Sequence, residues 1–247
     1  MNDSSLSNTA IDFDNLDPLD LIEDNEPEKP DPDVMLGLLS SDNLQEQIEG
    51  ARAFCEISDS RAVPLLVERL NHNCPLIRVS AAYALGRNTD SSAVQPLILT
   101  LQNDWNGYVR KGVVWALGNS GDRTSFQPLL HALKHDIAAV RLWSASSIAN
   151  IAKLNYEDII TSVPSLITTL RQDAIAAVRS NCAWTVGKLC QELPFNVVYN
   201  TAIDALIEAL VEDEDLGVKE DAKSSLLKLG DPRGLQMIEE LEFEGLI

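Results

Sequence analysis

The sequence predicts an all-α fold, a right-handed α-α superhelix of about six helix pairs closed by a carboxy-terminal capping helix. A short unit recurs five times, at Arg78–Gly86, Arg110–Gly118, Arg141–Ala149, Arg179–Gly187 and Lys219–Leu227. A leucine ends each preceding segment, at Leu39, Leu70, Leu101, Leu133, Leu170 and Leu210, with spacings of 31, 31, 32, 37 and 40 residues. Repeats of this length mark a stacked solenoid, whose units bury an apolar face only against their neighbours. The chain is 45% apolar but only 5% aromatic, as expected where small and branched side chains pack helix on helix.

Turns near Ser40, Ile57, Asn73, Asp90, Asn106, Asp122, Asp136, Asn155, Ala174, Gln191, Glu214 and Gly230 divide the pairs. The first pair is unusually polar from Gln45 to Gln47 and reads as a cap. Within later pairs the first helix carries apolar residues three and four apart, as in Ala93–Leu101. Pro64, Pro96, Pro128 and Pro164 are expected near the starts of these helices, where a missing amide hydrogen costs little. The second helix, as from Arg110 to about Asn119, gathers Val113, Val114 and Leu117 on one face. Ala82, Val114, Ala145 and Ala183 share one phase and allow close helix approach, with Leu85, Leu117, Ile148 and Val186 filling the core between repeats. Gly86, Gly118 and Gly187 mark tight contacts or helix ends, and Asp90 and Asp122 are caps for the helices that follow. A helix from Arg233 to Phe243 closes the stack. Residues 33–247 are thus expected to form one solenoid, preceded by an acidic leader over residues 1–32 that is expected to be disordered.

Charge is unevenly spread. Residues 1–33 hold eleven acids and one lysine, residues 34–203 hold fourteen of each sign, and residues 204–247 hold thirteen acids and four bases. The net charge of −19 therefore resides almost wholly in the two ends. Phosphate contacts need a basic stripe, so nucleic acid is disfavoured and a protein partner with a basic surface is favoured. Within the leader, residues 11–22 interleave apolar and acidic side chains, a pattern found both in solubilising tails and in segments that fold on contact. The chain shows neither a membrane-length apolar run nor a secretory signal, so a cytosolic location is expected. Self-association stays open.

The candidate partner-binding residues come from the second helices. Tyr83, Trp115, Ser146, Trp184 and Ser224 occupy one place in successive units, and in a solenoid such places align into a stripe. Trp143 joins that face from another phase, and Arg87, Asn119, Asn150 and Lys188 flank it one turn on. Aromatic residues with a polar rim have the anatomy of a protein interface, although the rings also suit gaps between alanine-rich helices. Trp105 and Tyr108 extend this surface at an inter-helix turn.

Arg78, Arg110, Arg141 and Arg179 form a second series, each preceded by Asn73, Asp104, Asp136 or Asp173. The acids are placed to cap helices or to meet an arginine of the same or the adjacent unit, which makes a structural ladder. Catalytic material is scarce: no glycine-rich phosphate loop or serine elbow occurs, and no catalytic residue is assigned. His131 and His135, four apart, lack a third metal ligand. Cys55, Cys74, Cys182 and Cys190 form no close pair; Cys55 and Cys182 read as buried thiols, and Cys190, beyond Gly187, as more exposed. Neither a metal nor an intrinsic cofactor is therefore expected.

The units Asp104–Gly118 and Asp136–Ala149, with the helix Gln127–Leu133, resemble HEAT repeats of the phycobilin-lyase-like class. The resemblance covers residues 33–243 and implies a HEAT-repeat solenoid whose second helices line the concave face, placing Tyr83, Trp115 and Trp184 there. That class is associated with cyanobacteria and other microbes, and includes bilin lyase subunits, phycobilisome-degradation factors and scaffolds. The acidic, proline-containing leader adds a similarity to cyanobacterial HEAT proteins that partner an A-type iron–sulfur scaffold protein. The first implication is a non-enzymatic scaffold that stabilises an A-type iron–sulfur cluster assembly protein by contact with its cluster. The alternative is a phycobilin lyase accessory subunit or a bilin or phycobiliprotein chaperone.

Overall fold

The computed structural model describes residues 30–153 and 155–246. Its helices run in pairs: α1 (Pro32–Leu39) with α2 (Leu44–Ala53), α3 (Ala62–Arg69) with α4 (Pro75–Arg87), and α5 (Ser91–Asn103) with α6 (Gly107–Ser120). The later pairs are α7 (Phe126–His135) with α8 (Ala138–Ala152), α9 (Tyr156–Gln172) with α10 (Ala176–Cys190), and α11 (Val197–Glu212) with α12 (Leu216–Leu229). A last helix, α13 (Pro232–Phe243), packs on α11 and α12 and caps the stack. The result is an all-α solenoid of six helix pairs with a final capping helix. Residues 1–29 of the leader, including 11–22, lie outside the described residues, and its last residue, Pro32, begins α1 behind the cap Asp31.

Local sequence sets the boundaries. Side chains of Asn43, Asp90, Asn106, Asn155, Asn196 and Asp215 accept hydrogen bonds from backbone amides in the first turn of the helix each precedes. Asp122 does the same for a short 3-10 turn, Arg123–Ser125, that leads into α7. Gly121 and Gly230 end α6 and α12 in the left-handed region that glycine adopts without strain. Pro64 and Pro128 stand in the first turns of α3 and α7, as expected. Pro96 and Pro164 do not, because α5 begins at Ser91 and α9 at Tyr156, so both fall inside a helix. The caps Asp90 and Asn155 start these helices earlier than the prolines would, and packing of their apolar face tolerates one missing backbone hydrogen bond in each.

The core is a row of equivalent places. Ala82, Val114, Ala145 and Ala183 are fully buried, as are Leu85, Leu117, Ile148 and Val186 one turn on. The second helices pack against one another extensively along the stack, whereas the first helices touch their counterparts much less. A curved stack holds its more closely spaced layer on the inside, so the second helices form the inner wall. Glycine makes that spacing possible: a Cβ on Gly118 would lie 2.5 Å from Ser147 Oγ and 2.9 Å from its Cα. Gly187 meets Ser225 in the same way, and Gly86 meets Trp115. The two serines donate across the gap, Ser147 to the Val114 carbonyl at 3.0 Å and Ser225 to the Ala183 carbonyl at 3.1 Å. The glycines are therefore packing positions rather than frayed ends.

Candidate functional site

The arginine series is a ladder between repeats. Arg78 grips Asp104 through Nε at 2.6 Å and Nη2 at 3.0 Å, and Arg110 grips Asp136 at 2.7 and 2.6 Å. Arg141 holds Asp173 at 2.7 and 2.8 Å, and Arg179 holds Asp213 at 2.7 and 2.8 Å. Each guanidinium thus reaches the acid of the following unit, while its third nitrogen donates to a carbonyl of its own turn, as from Arg110 to Asp104 at 2.8 Å. The acids in turn accept from backbone amides of their loops, Asp104 from Asn106 and Asp213 from Asp215. Asp213, the last acid of the ladder, has no arginine aligned within its own unit, where Lys219 takes that place and donates to the Val211 carbonyl. Hydrogen bonds from Arg179 hold the Asp213 carboxyl below its ordinary range despite burial. These paired arginines are bracing for the stack and leave no free charge for a ligand.

The inner wall is where the aromatic residues stand. Tyr83, Trp115, Trp143 and Trp184 are all half-buried. They do not form one continuous row. Tyr83 and Trp115 pack together with ring centroids 5.5 Å apart and planes tilted by 48°. Trp143 lies under Lys111, whose Nζ is 5.5 Å from the ring centroid, and Trp184 lies under Lys188 at 4.7 Å. Between them Ser146 is occupied by Asn181, whose amide also donates to the Leu142 carbonyl at 2.9 Å and ties α10 to α8.

The flanking residues differ among themselves. Arg87 is exposed and makes no hydrogen bond or ion pair among the described residues. Asn119 donates to the Gly86 carbonyl at 3.3 Å and so braces two second helices, while Asn150 accepts from Lys188 at 3.3 Å. Desolvation, followed by the neighbouring charge of Lys153, lowers the Lys188 pKa. Trp105 is 75% exposed, with the Arg78 guanidinium over its ring at 5.5 Å. Tyr108, also exposed, stands in the first turn of α6.

One hollow opens on the wall. A pocket of about 420 Å³ is lined by Leu76, Val79, Ser80, Tyr83 and Trp115, with Arg52 and Cys55 of the first pair at its side. Leu76, at 54% exposure, is an apolar side chain that the fold leaves in solvent at this point. Sequence reasoning missed Arg52, Leu76 and Val79 here. Their signal was present, since Leu76 and Val79 lie seven and four residues before Tyr83 and hence on its helix face.

Thiol and imidazole chemistry is placed elsewhere. Cys182 and Cys190 are buried, so Cys190 is not the more exposed thiol its place beyond Gly187 suggested: α10 runs on to Cys190 itself and turns it into the core. Burial pushes the Cys190 thiol up to about 12 and Cys55, half-buried, up to about 11, so both stay protonated near neutrality. His131 and His135 do face one another on α7, with rings 4.7 Å apart. Among the described residues no group of three or more His, Cys, Asp or Glu side chains is placed to hold a metal ion, and no helix is long and apolar enough to cross a membrane.

Comparison with known proteins agrees with this architecture. A family model described as HEAT repeats matches residues 32–112 and 94–163, together more than half of the chain. The search of curated proteins found no match. Among solved structures, the complex of CpcE and CpcF of phycocyanin lyase from Nostoc sp. PCC7120 is similar with a TM-score of 0.60 and 20% identity, over 87% of this chain and 83% of that chain. A designed armadillo repeat protein in complex with peptide (KR)4 aligns with a TM-score of 0.59 and 20% identity, over 80% and 98%. An engineered protein reaches 0.59 with 23% identity, over 81% and 98%. At these identities the likeness is one of fold.

Proposed function

Because this chain belongs to the HEAT-repeat family, we propose that it is a non-enzymatic scaffold of the cytosol that holds a protein partner along the inner wall of its second helices. The observation that carries this reading is the set of half-buried rings, Tyr83, Trp115, Trp143 and Trp184, on one wall beside an open apolar pocket. Rings already fixed by packing add large contact area at little further cost in side-chain entropy. The fold is also that of a designed protein in complex with a peptide. A basic partner surface has its support at the carboxy-terminal end, where residues 204–247 carry thirteen acids against four bases.

Two narrower readings follow from the resemblance. In the first, the partner is an A-type iron–sulfur assembly protein, and the chain steadies a cluster that the partner ligates. The buried, protonated state of Cys182 and Cys190 is in keeping with cluster ligands supplied from outside. In the second, the chain is an accessory subunit of a phycobilin lyase or a chaperone of a bilin or phycobiliprotein. This second reading has the better support, because the CpcE and CpcF complex matches over most of both chains. Half-buried tryptophans paired with Lys111 and Lys188 also suit a conjugated pigment that carries carboxylates.

Affinity capture from the native cell, with visible spectroscopy of what co-purifies, tests these readings together. The Trp115→Ala and Trp184→Ala variants are expected to lose the partner, and undiminished capture by both would remove the inner wall as the docking face. Mixing with bilin is expected to change its visible absorption under the second reading; no change, with or without a lyase partner, would remove it.

A further inference from the structure

The chain is strongly acidic, yet the middle of its inner wall, from α4 to α10, carries no acid of its own. Helices α4, α6, α8 and α10 contain no aspartate or glutamate, although the whole chain has 38. Their ladder arginines are neutralised by the acids of the following units. Arg87, Lys111 and Lys188 remain, and among the described residues none of them meets a carboxylate. All three share the face of the tryptophans, two of them directly over the rings of Trp143 and Trp184. Cations beside aromatic rings and without a carboxylate partner keep donors and charge available to an incoming anion.

We infer that the inner wall from α4 to α10 takes an acidic segment of a partner protein that also carries apolar side chains. This deepens the scaffold reading and rests on it. One apolar side chain of the segment enters the pocket between Leu76, Val79, Tyr83 and Trp115. Its carboxylates meet Arg87, Lys111 and Lys188. The surrounding tryptophan faces cover the apolar stems, so that the ion pairs form away from bulk water, where screening is weaker. The sign is opposite to that expected from net charge, because net charge sums the acid-rich ends of the chain with middle helices that carry no acid. Asp221 of the next second helix, α12, accepts from Ser180 of α10.

The test is fluorescence anisotropy of two labelled synthetic peptides added to the full chain: an acidic one alternating Asp or Glu with Leu and Phe, and (KR)4. The acidic peptide is expected to bind more tightly, to weaken with added salt, and to weaken about tenfold or more in the K111E/K188E variant, a change of about 1.4 kcal/mol or more. Far-UV circular dichroism checks that this variant keeps its helices. Tighter binding of (KR)4 would overturn the inference; loss of that (KR)4 binding in Trp115→Ala would still leave the wall as a docking face. Acidic-peptide binding that ignores the charge reversal would also overturn it. Binding of neither peptide by the full chain would overturn it as well.

Discussion

Removing one rung of the ladder should uncouple two neighbouring repeats. Arg110 makes two hydrogen bonds to Asp136 and one to the Asp104 carbonyl, and the two side chains are only 17% and 12% exposed. An exposed ion pair contributes about 0.2–1 kcal/mol, whereas removing one partner of a buried pair costs about 3–5 kcal/mol. With both groups largely but not wholly out of water, Arg110→Ala should cost about 2–4 kcal/mol, between those limits. Much of that comes from the Asp136 carboxylate, which keeps the Ile137 amide as a partner but loses its counter-charge. Urea unfolding of wild type, Arg110→Ala, Asp136→Ala and the double variant gives the coupling directly, expected at about 1–3 kcal/mol. Because stability in a stack is a sum of repeat and interface terms, hydrogen exchange should show the loss concentrated in α6, α7 and α8. A coupling below about 0.5 kcal/mol would refute the reasoning, since it would mean that the ladder is screened like any surface pair.

Gly118→Ala should destabilise the stack by about 1–3 kcal/mol, because its Cβ collides with backbone as well as side-chain atoms of Ser147; an unchanged urea midpoint would contradict the close approach. Acid should loosen the ladder: Asp213, held low by Arg179 hydrogen bonds, and Asp173, held low by Arg141 against the opposing effect of burial, have folded-state pKa values below the ordinary 3.8. Groups shifted this way add stability that is fully present above the ordinary value and lost as pH falls through the lower folded one, so the urea midpoint should drop only on strong acidification and less steeply in Asp213→Asn. Iodoacetamide at about pH 8 should spare Cys182 and Cys190 in the folded chain and label them after unfolding, because burial raises both thiols; rapid native labelling of Cys190 would contradict its place in the core.

Much of the site was legible because repetition converts sequence phase into position. The ladder arginines and the tryptophans were found by alignment of units alone, and the turn at Asp90 by its capping side chain. Cys190 was misplaced because the phase of the repeat stops being informative at a helix end, where one further turn decides between loop and core. Pro96 and Pro164 were misplaced for a related reason: a cap and a packed face outweigh the local cost of one proline. The pocket around Leu76 escaped notice because two of its seven lining residues, Arg52 and Cys55, come from a unit away in the chain.

By itself, the amino-acid sequence determined the helix pairs, their order and the faces that are buried, since a period near 31 residues and helical spacing of apolar side chains act locally. Only the tertiary structure decided which acid each arginine meets, that the rings stay half-buried, and that Arg87, Lys111 and Lys188 meet no carboxylate among the described residues. Those are relations between neighbouring units, fixed by how closely glycine, alanine and serine allow one second helix to approach the next.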